Sequence, residues 1–218
     1  MKLLGRFNNW GQPNFFPVKI GKLDRYSNSR FLQLEPLEGR ITPATYTVFT
    51  NADSGTGSLR QAITDANLVT GPHTINFAIT GSTGGIQTIT LGSALPVILQ
   101  PITIDGTSQP GFSANTLSVG AGNNAAIKIQ LDGKNLTSGG EVGLYLNSGG
   151  STVQGLSIVN FPYGIYANGD NITIKGNYFG VNADGSAQTN GLSGVGVDIP
   201  TFSSAIVWKC RFRSKYFW

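Results

Sequence analysis

The stretch "GLYLNSGGSTVQGLSIVNF" (143–161) lies over "GIYANGDNITIKGNYFG" (164–180) at a shift of 21 residues. Gly143 then meets Gly164, Tyr145 meets Tyr166, Asn147 meets Asn168, Val153 meets Ile174, Gly155 meets Gly176 and Ile158 meets Phe179. Small turn formers fall on turn formers and apolar residues on apolar ones. A further echo starts at Gly194, where Val195 and Val197 follow the pattern of Ile165 and Ala167, and "ITIDG" (102–106) returns as "IQLDG" (129–133) at a shift of 27. A period of 20–30 residues holding two or three short β runs is the mark of a solenoid. Strands of three to five residues are too short for a free-standing sheet. They become stable when each turn of chain stacks on the next, so that inward Ile, Val, Leu and Phe merge into one core and every backbone group pairs. Glycine and asparagine supply the left-handed corners that such a path requires.

The composition agrees. Thirty glycines and only 12% charged residues in 218, with 39% hydrophobic, exclude both disorder and helical patterning and point to an all-β chain rich in turns. The expected fold is a right-handed single-stranded parallel β-helix, a pectate-lyase-like solenoid, preceded by a short capping helix. Leucine-rich repeats share the period but need a leucine comb. A hairpin-built β-sandwich is the runner-up and leaves the 21-residue correspondence unexplained.

The net charge of +4 divides unevenly along the chain. Residues 1–40 carry seven basic and three acidic side chains. Residues 41–205 carry Arg60, Lys128, Lys134 and Lys175 against eight acids, and the last thirteen residues carry four bases and no acid. The middle lacks the clustered cations of a phosphate-binding face, so nucleic acid is not an expected partner. No apolar run of about 18 residues exists to span a membrane, and one cysteine, Cys210, provides no disulfide framework.

Four segments follow. Residues 1–44 are basic, aromatic and proline-broken, as in a leader or sorting segment. Residues 45–73 contain a strand at Tyr46–Thr50 and a helix over 58–67, with Ser58 as N-cap, Gln61 completing a capping box and Leu59, Ala62, Ile63 and Ala66 on one face. Together they would form an N-terminal cap. Residues 74–200 carry the coils, and residues 201–218 form a basic, aromatic tail that abandons the rhythm, as a truncated or frame-shifted reading frame would.

Three of these segments resemble a known family. Leu34, Glu35, Pro36, Leu37, Glu38 and Arg40 resemble the Leu-Glu-Pro-Arg-type motif near the start of large planctomycete surface proteins. Asp53–Ile63, "DSGTGSLRQAI", is similar to the opening segment of bacterial parallel β-helix surface proteins, and "GNYFG" with Asp184-Gly185 resembles their repeat. The resemblance covers about residues 31–200. It implies a secreted or cell-surface protein with a structural or adhesive role, whose partners are extracellular polysaccharide or other surface components.

The competing expectation is a carbohydrate-binding or polysaccharide-degrading β-helix of lyase or hydrolase type, which needs convergent carboxylates. Asp105 and Asp132, in matching "DG" units, would stack on one edge with Lys134 as the basic group. An Asp-Gly pair is first of all a turn former, so no catalytic residue is assigned and catalysis is not the preferred expectation. No cofactor is expected; weak Ca²⁺ binding by Asp184 and neighbouring carbonyls is the lesser alternative. His73, the only histidine, falls in the turn-like "GPHT" without a nucleophile motif. Tyr145, Tyr163, Tyr166 and Tyr178 would either cover coil edges or offer a platform for sugar rings, and Arg60 reads as a solvated or capping salt-bridge partner.

Overall fold

The first described strand, β1 (Thr45–Val48), leads through a turn into helix α1 (Leu59–Asn67). The computed structural model describes residues 43–81, 85–118, 121–137, 141–188, 195–201 and 203–212, all within one compact unit, Gly39–Trp218. The motif at Leu34–Arg40, residues 189–194 of the loop that follows β11 and residues 213–218 lie outside the described residues. Ser58 Oγ caps α1 by accepting from Gln61 N–H at 3.2 Å, and Leu59, Ala62, Ile63 and Ala66 are its buried face, as the spacing predicts. Only half of the capping box forms. Ser58 N–H already donates to Gly55 O at 3.1 Å, so the Gln61 amide turns forward to Asp65 Oδ1 at 2.6 Å.

The remaining elements are β2 (His73–Phe77), β3 (Gln87–Thr90), β4 (Ile102–Asp105), a 3-10 turn (Gly106–Ser108), β5 (Ile129–Asp132), β6 (Val142–Leu146) and β7 (Thr152–Gln154). They continue with β8 (Leu156–Val159), β9 (Tyr163–Ala167), β10 (Ile172–Lys175), β11 (Tyr178–Phe179), β12 (Val195–Asp198), β13 (Ala205–Trp208) and β14 (Arg211–Phe212). The first sheet runs β1-β2-β4-β7-β10-β13, the second β14-β11-β8-β5-β3 and the third β12-β9-β6. Every pairing of named strands is parallel. The protein is therefore mostly β, built of parallel sheets, and the hairpin-built sandwich is set aside. Among the described residues no helix is long and apolar enough to cross a membrane.

From β6 onward the chain visits the third, first and second sheets in that order three times. The 21-residue shift is the strand register itself: Tyr145 pairs with Tyr166, Val153 with Ile174 and Ile158 with Phe179. The 27-residue echo has another origin. "ITIDG" ends a first-sheet strand and "IQLDG" a second-sheet strand, because the same short pattern, two inward apolar residues and a polar turn, suits either sheet.

Alternation sorts each strand into inward and outward residues. Ile75, Ile104, Val153, Ile174 and Val207 form one column of the first sheet, and Ile89, Leu131, Ile158, Phe179 and Phe212 one of the second. Most of these are fully buried, and each large side chain contributes roughly 1.5–3 kcal/mol of hydrophobic stabilisation. Successive circuits place Ile158, Phe179 and Phe212 in one column, and the glycines of the third sheet make room for the rings. A Cβ on Gly164 would lie 2.5 Å from Gly196 O and 2.8 Å from the Phe179 ring.

The expected break at residue 201 does not occur among the described residues. Strands β13 and β14 extend the first and second sheets, and Phe212 stacks on Phe179 at 5.0 Å. "AIVWKCRF" keeps the alternation beneath its altered chemistry, with Ala205, Val207, Cys210 and Phe212 packed against the core and Ile206 and Trp208 outward.

Candidate groove beside the first sheet

Near the C-terminal ends of β2, β4, β7, β10 and β13 one residue of each strand points outward, and register stacks these residues into a column. Asn76 pairs with Asp105, Asp105 with Gln154, Gln154 with Lys175 and Lys175 with Trp208. Parallel pairing sets successive members about 4.8 Å apart. The chain then turns sharply. Gly155 and Gly176 make this corner at φ +69° and +63°, and Lys209 takes the same corner at φ 51° in the next circuit.

The opposite wall is the long loop between β4 and β5. Gln109 anchors its start, its side chain bonded to both N–H and C=O of Ile79 at 2.9 Å. An antiparallel bridge between Ser113 and Ala126 closes its neck, and Asn115 and Asn124 side chains brace its tip through backbone amides of Asn124 and Thr116. Its underside packs on the outward face of the second sheet, where Phe112, Ala125 and Ile127 meet Tyr178, Val181 and Ala183 in a second small core. Tyr178 is buried in that core, and its hydroxyl donates towards Asn123 Oδ1 (3.1 Å) and Ala125 O (3.3 Å).

Between column and loop lies a cavity of about 340 Å³. Trp208, Tyr178, Lys175, Lys209, Asn115 and Asn123 carry its chemistry. Trp208 is 58% exposed, with the Lys209 ammonium 4.5 Å from its ring centroid, and the Arg211 guanidinium lies 5.6 Å from the Tyr178 ring. Both are cation–π distances. Among the described residues that line it, none is a carboxylate.

The carboxylates singled out from the sequence do not stack on one edge. Asp105 closes β4 of the first sheet and Asp132 closes β5 of the second. Asp105 Oδ1 accepts from Thr107 N–H (2.9 Å) and Thr107 Oγ1 (2.5 Å), capping the 3-10 turn. Asp132 Oδ1 accepts from Lys134 N–H (3.0 Å) and the Asn160 amide (2.7 Å). Its Oδ2 lies 3.5 Å from Lys134 Nζ, on a side chain 58% exposed, where an ion pair is worth little. Lys134 therefore sits beside Asp132 and not beside Asp105. Each Asp-Gly unit is a turn in its own sheet.

His73 corrects a second expectation. It opens β2 rather than lying in a turn, and it is buried. Its Nδ1 accepts from Ala44 N–H at 3.2 Å and its Nε2 faces Val69 O at 2.8 Å, an arrangement suited to the Nε2–H tautomer. Tyr46 packs edge-on at 5.8 Å. Arg60 ties the cap to its surroundings, bonding Asp53 Oδ1 (2.6 Å), Ser93 O (2.8 Å) and Ala94 O (2.6 Å).

The tyrosines divide. Tyr145 and Tyr166 meet edge-to-face at 4.9 Å on adjacent strands of the third sheet, Tyr163 is exposed nearby, and Tyr178 lies in the groove. Asp184 is exposed; hydrogen bonds from the Ser186 hydroxyl and then its N–H hold its carboxyl below the ordinary value. Among the described residues no group of three His, Cys, Asp or Glu side chains is placed to share a metal ion.

Lys175, Trp208, Lys209, Asn115 and Asn123 were not singled out from the sequence. Aligning "ITIKGNYF" (172–179) with "AIVWKCRF" (205–212) finds Lys175 and Trp208 at one position, since each pair is 33 residues apart. The asparagines have no such signature, because a loop without period places them. No protein-family model matches this chain, and no curated protein is significantly similar to it.

Proposed function

We propose that the chain is a right-handed, single-stranded parallel β-helix acting outside the cell or at its surface as a structural or adhesive element without a catalytic site of its own. The observation that carries this reading is the use made of its acids. Asp53 holds Arg60, Asp105 caps the turn after β4, and Asp132 joins its own turn to Asn160 of the neighbouring circuit. Acids committed to architecture leave a repeated surface whose columns suit assembly or adhesion. The resemblance at the cap and leader supports a surface location. Fractionation of the native cells with protease shaving tests it: loss of the protein from intact cells is the expected result, and a protected cytosolic protein would overturn it. Turnover of uronic-acid polymers by the purified chain, with or without Ca²⁺, would overturn the non-catalytic part.

A second reading, carbohydrate binding, is favoured by one specific observation. The groove combines an exposed indole, a tyrosine edge, cations and amides in about 340 Å³, at the small end of the roughly 300–1,000 Å³ typical of ligand sites.

A further inference from the structure

We propose that this groove binds an acidic oligosaccharide, one carrying carboxylate or sulfate groups on its rings; the proposal rests on the carbohydrate-binding reading and names its ligand class and its contacts. Charge supplies the first argument. Residues 43–212 hold eight acids against six bases, yet the groove draws Lys175 and Lys209 to its lining, with Arg211 behind Tyr178 and no carboxylate among the described lining residues. Asp105, next along the column, has Oδ1 engaged by Thr107. The groove is thus a cationic place on an acidic body, and attraction there strengthens as salt is lowered.

Shape supplies the second argument. Trp208 keeps more than half of its surface exposed with the Lys209 ammonium over its ring, a combination of apolar ring and cation that suits a pyranose with a charged substituent. Asn115 and Asn123, on the facing loop, have each Oδ1 engaged within the protein and bring amide N–H groups that donate to hydroxyl or anionic oxygens. Lys175 and Trp208 are register partners, so their backbones stand about 4.8 Å apart, within the span of one sugar ring and its charged substituent. A single-stranded nucleic acid would also use stacking and cations, but it needs a basic track along several nucleotides. The column offers that charge only at Lys175, with Lys209 at the corner beside it; its other members are Asn76, Asp105, Gln154 and Trp208.

The test is titration calorimetry of the full chain with an oligogalacturonate hexamer, a heparin-type hexasaccharide, a neutral cello-oligosaccharide and oligo-dT. Binding to at least one acidic sugar, at least tenfold tighter than to the neutral one and weakening as salt rises, is the expected result. The two acidic probes distinguish carboxylate from sulfate. Trp208→Ala and Lys175→Gln should each weaken binding about tenfold or more while far-UV spectra stay unchanged, since Trp208 is exposed and Lys175 lies on the outward face. Equal affinity for the neutral sugar, tighter binding of oligo-dT, or indifference to both substitutions would overturn the proposal. Absence of binding to either acidic sugar would also overturn it, and would leave the structural reading intact if protease shaving still finds the chain at the surface.

Discussion

Replacing Asn177 with alanine removes a side chain that holds two circuits together. Asn177 is fully buried at the corner between the first and second sheets. Its Oδ1 accepts from Leu156 N–H at 2.9 Å and its Nδ2 donates to Val153 O at 2.9 Å, both in the preceding circuit. Truncation leaves Leu156 N–H, which has a single hydrogen, buried without a partner, at a cost of roughly 1–3 kcal/mol. Val153 O loses one bond but keeps a second lone pair, adding about 0.5–1 kcal/mol. The expected loss is thus about 1.5–4 kcal/mol, a large part of the roughly 5–15 kcal/mol that holds a domain folded. With a urea dependence of about 2 kcal/mol per molar, the midpoint should fall by about 1–2 M. Equilibrium urea unfolding followed by far-UV circular dichroism measures this directly. A variant within about 0.5 kcal/mol of the parent would refute the assignment of Asn177 as a link between circuits.

Cys210 occupies the place of Asn177 one circuit later, with its thiol 3.7 Å from Ile174 O, so Cys210→Asn should raise stability by up to about 1 kcal/mol in the same unfolding assay. Burial pushes the Cys210 thiol above its ordinary value of 9.0, so the folded chain keeps its proton where the unfolded chain has lost it. Its contribution is complete below pH 9 and declines as pH rises through the raised value. Alkylation of the native protein should accordingly be slower than that of the urea-unfolded chain at the same pH, read as thiol labelling against time. Gly164→Ala should cost at least about 2 kcal/mol, because the new methyl meets Gly196 O and the Phe179 ring, and a thermal melt shows it. Lys209→Gly should stabilise by about 0.5–1 kcal/mol, since φ 51° suits glycine, while weakening acidic-sugar binding; unfolding and calorimetry read the two effects separately.

Much of the architecture was legible because strand register and repeat period are one quantity. The correspondence of Val153 with Ile174 and of Ile158 with Phe179 became strand pairing without adjustment. The helix at Leu59–Asn67 was equally readable, since capping and amphipathic spacing are local. The matching "DG" units misled because a polar turn former after two apolar residues ends a strand in either sheet, so Asp105 and Asp132 look equivalent and are not. Residues 205–212 misled in the other direction. Their basic and aromatic chemistry hid an alternation that still places Val207 and Phe212 inward. The groove was least legible of all. One wall is a column visible only once the tail is aligned, and the other is a loop held by Gln109 and the Ser113–Ala126 bridge, contacts that no period announces.

The most direct test of the central claim is a crystal structure of the full chain. The account predicts Thr74, Thr103, Thr152 and Thr173 in one outward column about 4.8 Å apart, with successive circuits rising in a right-handed sense. Antiparallel pairing of Val142–Leu146 with Thr152–Gln154, or circuits of the opposite hand, would contradict it.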